Sequence, residues 1–331
     1  MVFPELPPST QIWVLSDGKA GDETQTLGIA EALGLAAQKR LIAPRRLYAA
    51  LMPYGPIDPR DKPDRPGSPL VPPYPDIAIA AGRRTVSYLR HLKKVSSGHT
   101  FTVFIKDPYV GRGAADLIWV PRHDRLRGEN VMVTATPAHR IRPEILKDAR
   151  SYPDPRIAAL PAPRLAMILG GPSQHHRFSQ ADEAELAKIA YATVASGFSL
   201  MATGSRRTKS STLAAVKATL RGAPGQHFVW DGGRDNPYAA MLALADVIIV
   251  TGDSVNMMAE AAATGAPVHI YEPAGGHAKM TAYINHLAGS GAARRWTGAI
   301  EQWRYEPVDA TPVIAGEIAR RYLLWQARGR E

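Results

Sequence analysis

Short runs of apolar residues, each closed by a polar turn, alternate along this chain with stretches whose apolar positions recur at helical spacing. Runs at 11–15, 76–81, 101–105, 117–120 and 131–134 predict buried strands, and 23–33 predicts a helix. A second series opens with a strand at 165–169 and continues with strands at 198–202, 227–230, 247–250 and 267–271. Its helices fall at 181–196, where Leu186, Ile189 and Val194 lie near one face, and at 211–220, where Leu213, Val216 and Leu220 do. A last helix over 312–328 carries a stripe of Val313, Ile318, Tyr322 and Trp325. Regular alternation of strand and helix makes an α/β protein, and two series of similar size predict two Rossmann-like domains facing one another across a cleft. The expected boundaries are 1–150 for the first domain, 151–163 for a Pro-containing linker, 164–311 for the second domain and 312–331 for the terminal helix. Residues 53–75 hold nine prolines in 23 positions, too many for a helix or a central strand, and predict an exposed loop, either disordered or a lid.

In a parallel sheet, unpaired helix amides and turn side chains collect at the carboxyl ends of the strands, which is where ligands bind. The segment 245–271 reads as strand, polar turn, short helix, glycine turn and second strand. Gly252, Asp253, Ser254 and Asn256 form the turn. Ser254 or Asn256 can cap the helix, and Glu260, the only carboxylate on that helix, lies about one turn inside. A carboxylate there can accept two hydrogen bonds from a ribose diol while the helix start holds phosphates. As structure alone, Ser and Asn are ordinary caps, and an acid near a helix start suits the dipole. The whole segment resembles the nucleotide-binding signature of the glycosyltransferase-B fold, found for example in the N-acetylglucosaminyltransferase that completes the lipid-linked peptidoglycan precursor. Glu260, Gly265 and Pro267 match its order.

Other predicted strand tips carry polar groups as well. After the opening strand, SDGKAGDETQ places Asp17, Lys19 and Asp22 at the tip, with Asp17 or Asp22 a candidate general base and Lys19 its electrostatic partner. It is not a phosphate-binding loop of GxxxxGK[ST] type. Read as structure only, Asp22 caps the next helix and Lys19 is solvated. AGRRT sets Arg83 and Arg84 at a helix start, unfavourable for the dipole unless an anion or acidic partner is near, and IKDP offers Lys106 and Asp107. In the second series, Gly170, Gly171 and Ser173 of GGPSQHHRF can wrap a phosphate. Ser205, Arg206 and Arg207 of GSRRT follow another strand, the arginines suited to neutralise a departing diphosphate. His175 and His176 are adjacent, and adjacent histidines rarely converge on one ion, so no metal is assigned.

Composition narrows the partners. With 331 residues the chain is long enough for two domains with ample core, and with no Cys it has neither disulfides nor thiolate chemistry. No run reaches the ~18 apolar residues of a membrane span, and the N-terminus lacks a leader pattern, so a cytoplasmic protein is expected. A net charge of +10 favours anionic partners. The densest basic run, Arg83 to Lys94, carries Leu89 and Leu92 and is expected to dock on an anionic membrane surface, peripheral to the inner membrane. No zinc-finger, RRM-like or basic-zipper pattern points to nucleic acid.

Taken in order, SDGKAGDETQ, AGRRT, IKDP, the GGP turn, GSRRT, TGDSVNMMAEA and EPAGG resemble the bacterial relatives of the plant mitochondrial-fission (elongated mitochondria) family over nearly the whole chain. The resemblance implies a glycosyltransferase-B-like fold whose terminal helix crosses back to the first domain. It does not imply an activity: plant members are linked to recruiting a dynamin-related fission protein at the mitochondrial surface. The residues themselves point to a nucleoside diphosphate sugar bound as substrate, without further cofactor, and to glycosyl transfer to an acceptor held by the first domain. No DxD motif of the metal-using class stands at a strand end, so metal-independence is expected. The alternative is a non-catalytic scaffold for protein partners or membrane.

Overall fold

The computed structural model describes residues 4–328. They form two compact units, one made of the chain up to Arg140 together with the segment from Ala310 onward, the other of Ile141–Asp309.

In the first unit the order is β1 (Ile12–Ser16), α1 (Ala20–Ala32), β2 (Ala37–Leu41), α2 (Arg46–Leu51), β3 (Ile77–Ala81), α3 (Thr85–Val95), β4 (Phe101–Ile105), β5 (Leu117–Pro121) and β6 (Val131–Thr134). All six strands pair in parallel in the order β2-β1-β3-β4-β5-β6. Strands β1, β3, β4 and β5 are buried along their whole length, which explains why each reads as a continuous apolar run rather than an alternation. Alternate residues feed two layers: Ile12, Val14, Ile77 and Ile79 pack on one side, and Trp13, Leu15, Ala78 and Ala80 on the other, against Tyr88, Leu89 and Leu92 of α3. The edge strand β2, AQKRL, is polar and half-exposed, and for that reason has no apolar run to announce it.

The second unit contains α4 (Pro143–Ser151), α5 (Pro155–Ala158), β7 (Arg164–Leu169), α6 (Gln180–Ala195), β8 (Ser199–Gly204), α7 (Ser210–Leu220), β9 (His227–Trp230), α8 (Tyr238–Leu244), β10 (Val247–Thr251), α9 (Val255–Ala262), β11 (Val268–Tyr271), α10 (Ala278–Gly289) and β12 (Ala293–Arg295). Its parallel sheet runs β12-β11-β10-β7-β8-β9. Helix α11 (Thr311–Arg328) returns to the first unit, packing on α1, β4 and β5.

Four expectations change. The segment 151–163 is packed structure: it contains α5, and Ile157 and Leu160 sit in the second unit's core with Met241 and Leu242 of α8, so the chain passes between units at Arg140 and Ile141. The proline-rich stretch is not simply exposed, because Ile57 and Leu70 are buried. Asp58 is clamped by the Arg45 guanidinium at 2.7 and 2.8 Å, and Tyr88 donates to Asp61. Helix α3 does not offer an apolar face to a membrane, since Leu89 and Leu92 are in the core. Finally, the buried stripe of α11 is Ile314, Ile318 and Tyr322, while Val313 is exposed.

Candidate functional site

In the second unit the chain lays down β7, β8 and β9 outward in one direction and then returns to place β10 on the other side of β7. The tips of β7 and β10 are therefore a topological switch point, where the loops diverge and leave a crevice. Gly170 and Gly171 leave β7 there, and Gly252, Asp253 and Ser254 leave β10.

Asp253 is the hub. Its buried carboxylate accepts from Thr251 Oγ1 at 2.6 Å, from the Gly171 amide at 3.2 Å and from Arg207 Nη2 at 2.6 Å. The Gly170 amide donates to Thr251 Oγ1 at 2.7 Å. Arg207 also donates through Nη1 to the Gly171 carbonyl at 2.8 Å. A Cβ on Gly170 would stand 1.9 Å from Asp253 Oδ1, and one on Gly171 1.9 Å from the Arg207 carbonyl. These glycines let three turns close on one another, and the sequence reading, which took Asp253 for a turn residue, missed the acid that gathers them. Arg206, next along, is exposed and has no hydrogen bond or ion pair among the described residues. Ser173 and Ser205 close their own turns: Ser173 Oγ accepts the His175 and His176 amides at 3.2 Å, and Ser205 Oγ the Arg207 amide at 3.2 Å.

Helix α9 starts from this crevice. Ser254 caps it, accepting the Met257 amide at 3.4 Å, and Asn256 is half-buried in the first turn. The small Gly252 fits against Ile270 and Ile284. Further in, Glu260 is buried and accepts the Tyr238 hydroxyl at 2.7 Å. It has no ion-pair partner among the described residues. Burial pushes its carboxyl up to about 7, the Tyr238 bond acting in the opposite direction. Burial, then the charge of Glu260, raises Tyr238 and Tyr283 in turn.

Two loops close over these tips. His176 pairs with Gly275 as an antiparallel bridge, and the Gly276 amide donates to the His175 carbonyl at 2.6 Å. The His175 and His277 rings meet edge to face at 4.3 Å, while burial lowers the buried His176 below the ordinary histidine range. Asp182 fastens this strap: it forms a capping box with Ser179 and also accepts from Tyr271 Oη at 3.0 Å and the Ala274 amide at 3.2 Å. No group of three or more His, Asp or Glu side chains placed to hold a metal occurs among the described residues.

The first unit has its own switch point, between β1 and β3. Asp17 stands at the tip of β1 with its side chain 1% exposed, and Lys19 Nζ lies 3.5 Å from Oδ2. Gly82, at φ +95°, leaves β3 so close that a Cβ would come 2.9 Å from that oxygen. Oδ2 receives no hydrogen bond. Asp22 is ion-paired with Lys106 at the tip of β4. Arg83 donates to the Ala49 carbonyl at 3.2 Å, and Arg84 is exposed without a hydrogen bond or ion pair among the described residues. The structure thus brings Asp17, Lys19, Asp22 and Lys106 to one strand edge, with both acids already covered by lysines.

Two parallel six-stranded sheets flanked by helices, each with a topological switch point at its strand tips, define a glycosyltransferase-B-like fold. MurG of Acinetobacter baumannii superposes with a TM-score of 0.50 at 14% identity, over 96% of this chain and 92% of that one. UDP-GlcNAc 2-epimerase of Methanocaldococcus jannaschii does so with a TM-score of 0.57 at 9% identity, over 96% and 99%. At such identities the likeness is one of fold. The chain belongs to the mitochondrial fission ELM1 family, whose pattern it matches over residues 20–322. It is 28% identical to mitochondrial fission protein ELM1 of Arabidopsis thaliana over 272 residues, 74% of this chain and 64% of the plant protein, so the shared region is just under two thirds of that protein's length.

Proposed function

We propose that this protein binds a nucleoside diphosphate sugar at the strand tips of its second unit and transfers the glycosyl group, without a metal, to an acceptor at those of the first. The observation that carries the reading is Glu260, a buried acid with a phenol but no cation beside it, inside the helix that starts at the switch point. Such a group gains when hydroxyl donors arrive, and a ribose diol supplies two. Ser254, Asn256 and Ser173 face the phosphates in this reading, the Gly170 and Gly171 amides being taken by Thr251 and Asp253, and Arg206, a cation without an ion pair among the described residues, meets the charge of the departing diphosphate. Ser205 and Arg207 shape that turn, Arg207 through Asp253. In the transfer step an acceptor oxygen bonds to the anomeric carbon as the carbon–oxygen bond to the diphosphate breaks. The acceptor proton passes to Asp17 once the exposed Lys19 swings away, while Asp22, Lys106, Arg83 and Arg84 set the charge of the acceptor side. A fold shared with an enzyme named for UDP-GlcNAc supports a nucleotide sugar as ligand.

A second reading has its own support: Gly171 and Arg207 are engaged by Asp253 in one unit, and Asp22 and Asp17 are ion-paired with Lys106 and Lys19 in the other, as in a scaffold that kept the fold and serves a protein partner. Calorimetric titration with UDP, GDP, ADP and their sugars separates the two. Saturable binding that weakens roughly 10- to 150-fold in Glu260→Ala, the loss of charged hydrogen bonds, is the outcome for a nucleotide site. Heat of dilution alone across the series, from a protein with an intact melting transition, leaves the scaffold.

A further inference from the structure

The first unit leaves a group of large apolar side chains in water. Of the nine exposed large hydrophobics among the described residues, five, Leu41, Leu47, Leu51, Tyr54 and Tyr109, belong to this unit, and Leu47, Leu51, Tyr54 and Tyr109 are linked through α2 and the Tyr54 bonds. Leu41 ends β2 beside Gly18, and Leu51 packs next to Gly55. Tyr54 Oη donates to the Tyr109 carbonyl at 3.2 Å. Helix α2 turns Ala49 inward and leaves Leu47 and Leu51, one turn apart, on its outer side, with Leu47 69% exposed. Isolated exposed leucines are ordinary, but a joined set of this kind marks an interaction surface.

The charge at its border selects the partner. Arg46 opens α2, exposed and without hydrogen bond or ion pair among the described residues. Arg83 reaches the same helix and bonds only the neutral Ala49 carbonyl. Of the acids nearby, Asp58 is paired with Arg45 and Asp22 with Lys106, while Asp107 accepts the Tyr109 amide. A second copy of this face would set arginine against arginine, and nucleic acid would leave the leucines uncovered. An anionic bilayer answers both features, since leucine and tyrosine enter the headgroup–acyl boundary while arginine meets lipid phosphates.

We propose that α2 and the Tyr54–Tyr109 pair form a docking surface for an anionic lipid bilayer, in place of α3, whose leucines are in the core. This stands independently of the nucleotide reading. The test is sedimentation of the full chain with vesicles of phosphatidylcholine alone and of phosphatidylcholine mixed with phosphatidylglycerol. Wild type is expected to sediment with the mixed vesicles and not with the neutral ones, and to be released as salt is raised. Arg46→Glu and Leu47→Glu should each weaken partitioning by about fivefold or more with unchanged thermal melting, whereas Leu324→Glu, an exposed leucine on α11, should not. Failure to bind mixed vesicles, equal binding to both kinds, or equal loss in Leu324→Glu would overturn the proposal. Self-association abolished by Leu47→Glu without vesicle binding would overturn it in favour of a second copy.

Discussion

Glu260 sits in surroundings that favour its protonated form, whereas a ligand that donates hydrogen bonds favours the ionised one. Its folded-state value near 7 lies above the ordinary carboxyl value of 4.5, so the native state holds a proton that the unfolded chain has released between those two points. The sign follows: this group opposes folding increasingly as pH rises from about 4.5 to about 7, by up to the order of 2–3 kcal/mol for so buried an acid. Glu260→Gln should therefore raise the melting temperature at pH 8 and change it little at pH 5, which thermal unfolding at the two pH values will show. On the proposed reading nucleotide affinity should run the other way, falling as pH drops through about 7, and titration from pH 6 to 8 checks it. Gly170→Ala tests the packing of the three turns: its methyl group must displace the Asp253 carboxylate, and a loss of roughly 1–3 kcal/mol in denaturant unfolding is expected. Glu260 was legible in sequence because it is the lone acid on a short apolar helix. Asp253 was not, because its partner Arg207 is 46 residues distant and a turn acid looks solvated until the two strands are laid side by side.

At the scale of the element, periodicity located the buried strands well and only some of the helices, passing over α4, α8 and α10, and assigned faces less well. On α11 the expected stripe holds at Ile318 and Tyr322 and fails only at its start, where Ile314, about 100° around the helix from Val313, is the buried residue. Ile318→Ala, at a fully buried position among Phe101, Tyr322 and strand residues, should cost about 2–4 kcal/mol, and Val313→Ala less than about 0.5 kcal/mol, by urea unfolding. Strand β2 escaped notice because edge strands need no apolar run, and α2 because six residues hold too few turns for a period to register. The proline-rich stretch looked exposed from composition. What composition cannot show is that Ile57 and Leu70 reach the core while Asp58 and Asp61 find Arg45 and Tyr88.

At the scale of the molecule, alternation of strand and helix was enough to predict two α/β units, and several strand-tip motifs together were enough to place the chain in its family. The exchange point between units was not legible, because 151–163, with α5, reads as tether and α4 as the end of the first domain until α8 is packed beneath them. A basic net charge likewise pointed to anions without saying which face meets them. None of the helices among the described residues is long and apolar enough to cross a membrane.

The return of α11 has a consequence for biogenesis. A ribosome releases the second unit, Ile141–Asp309, as one uninterrupted stretch, whereas the first waits for α11 before Phe101 gains Tyr322 and Trp325 as neighbours. The later-made half is thus free to mature ahead of the earlier-made one. A chain truncated after Asp309 should yield a protease-resistant fragment from the second unit while its N-terminal part is digested, and resistance of that part should appear only when α11 is present.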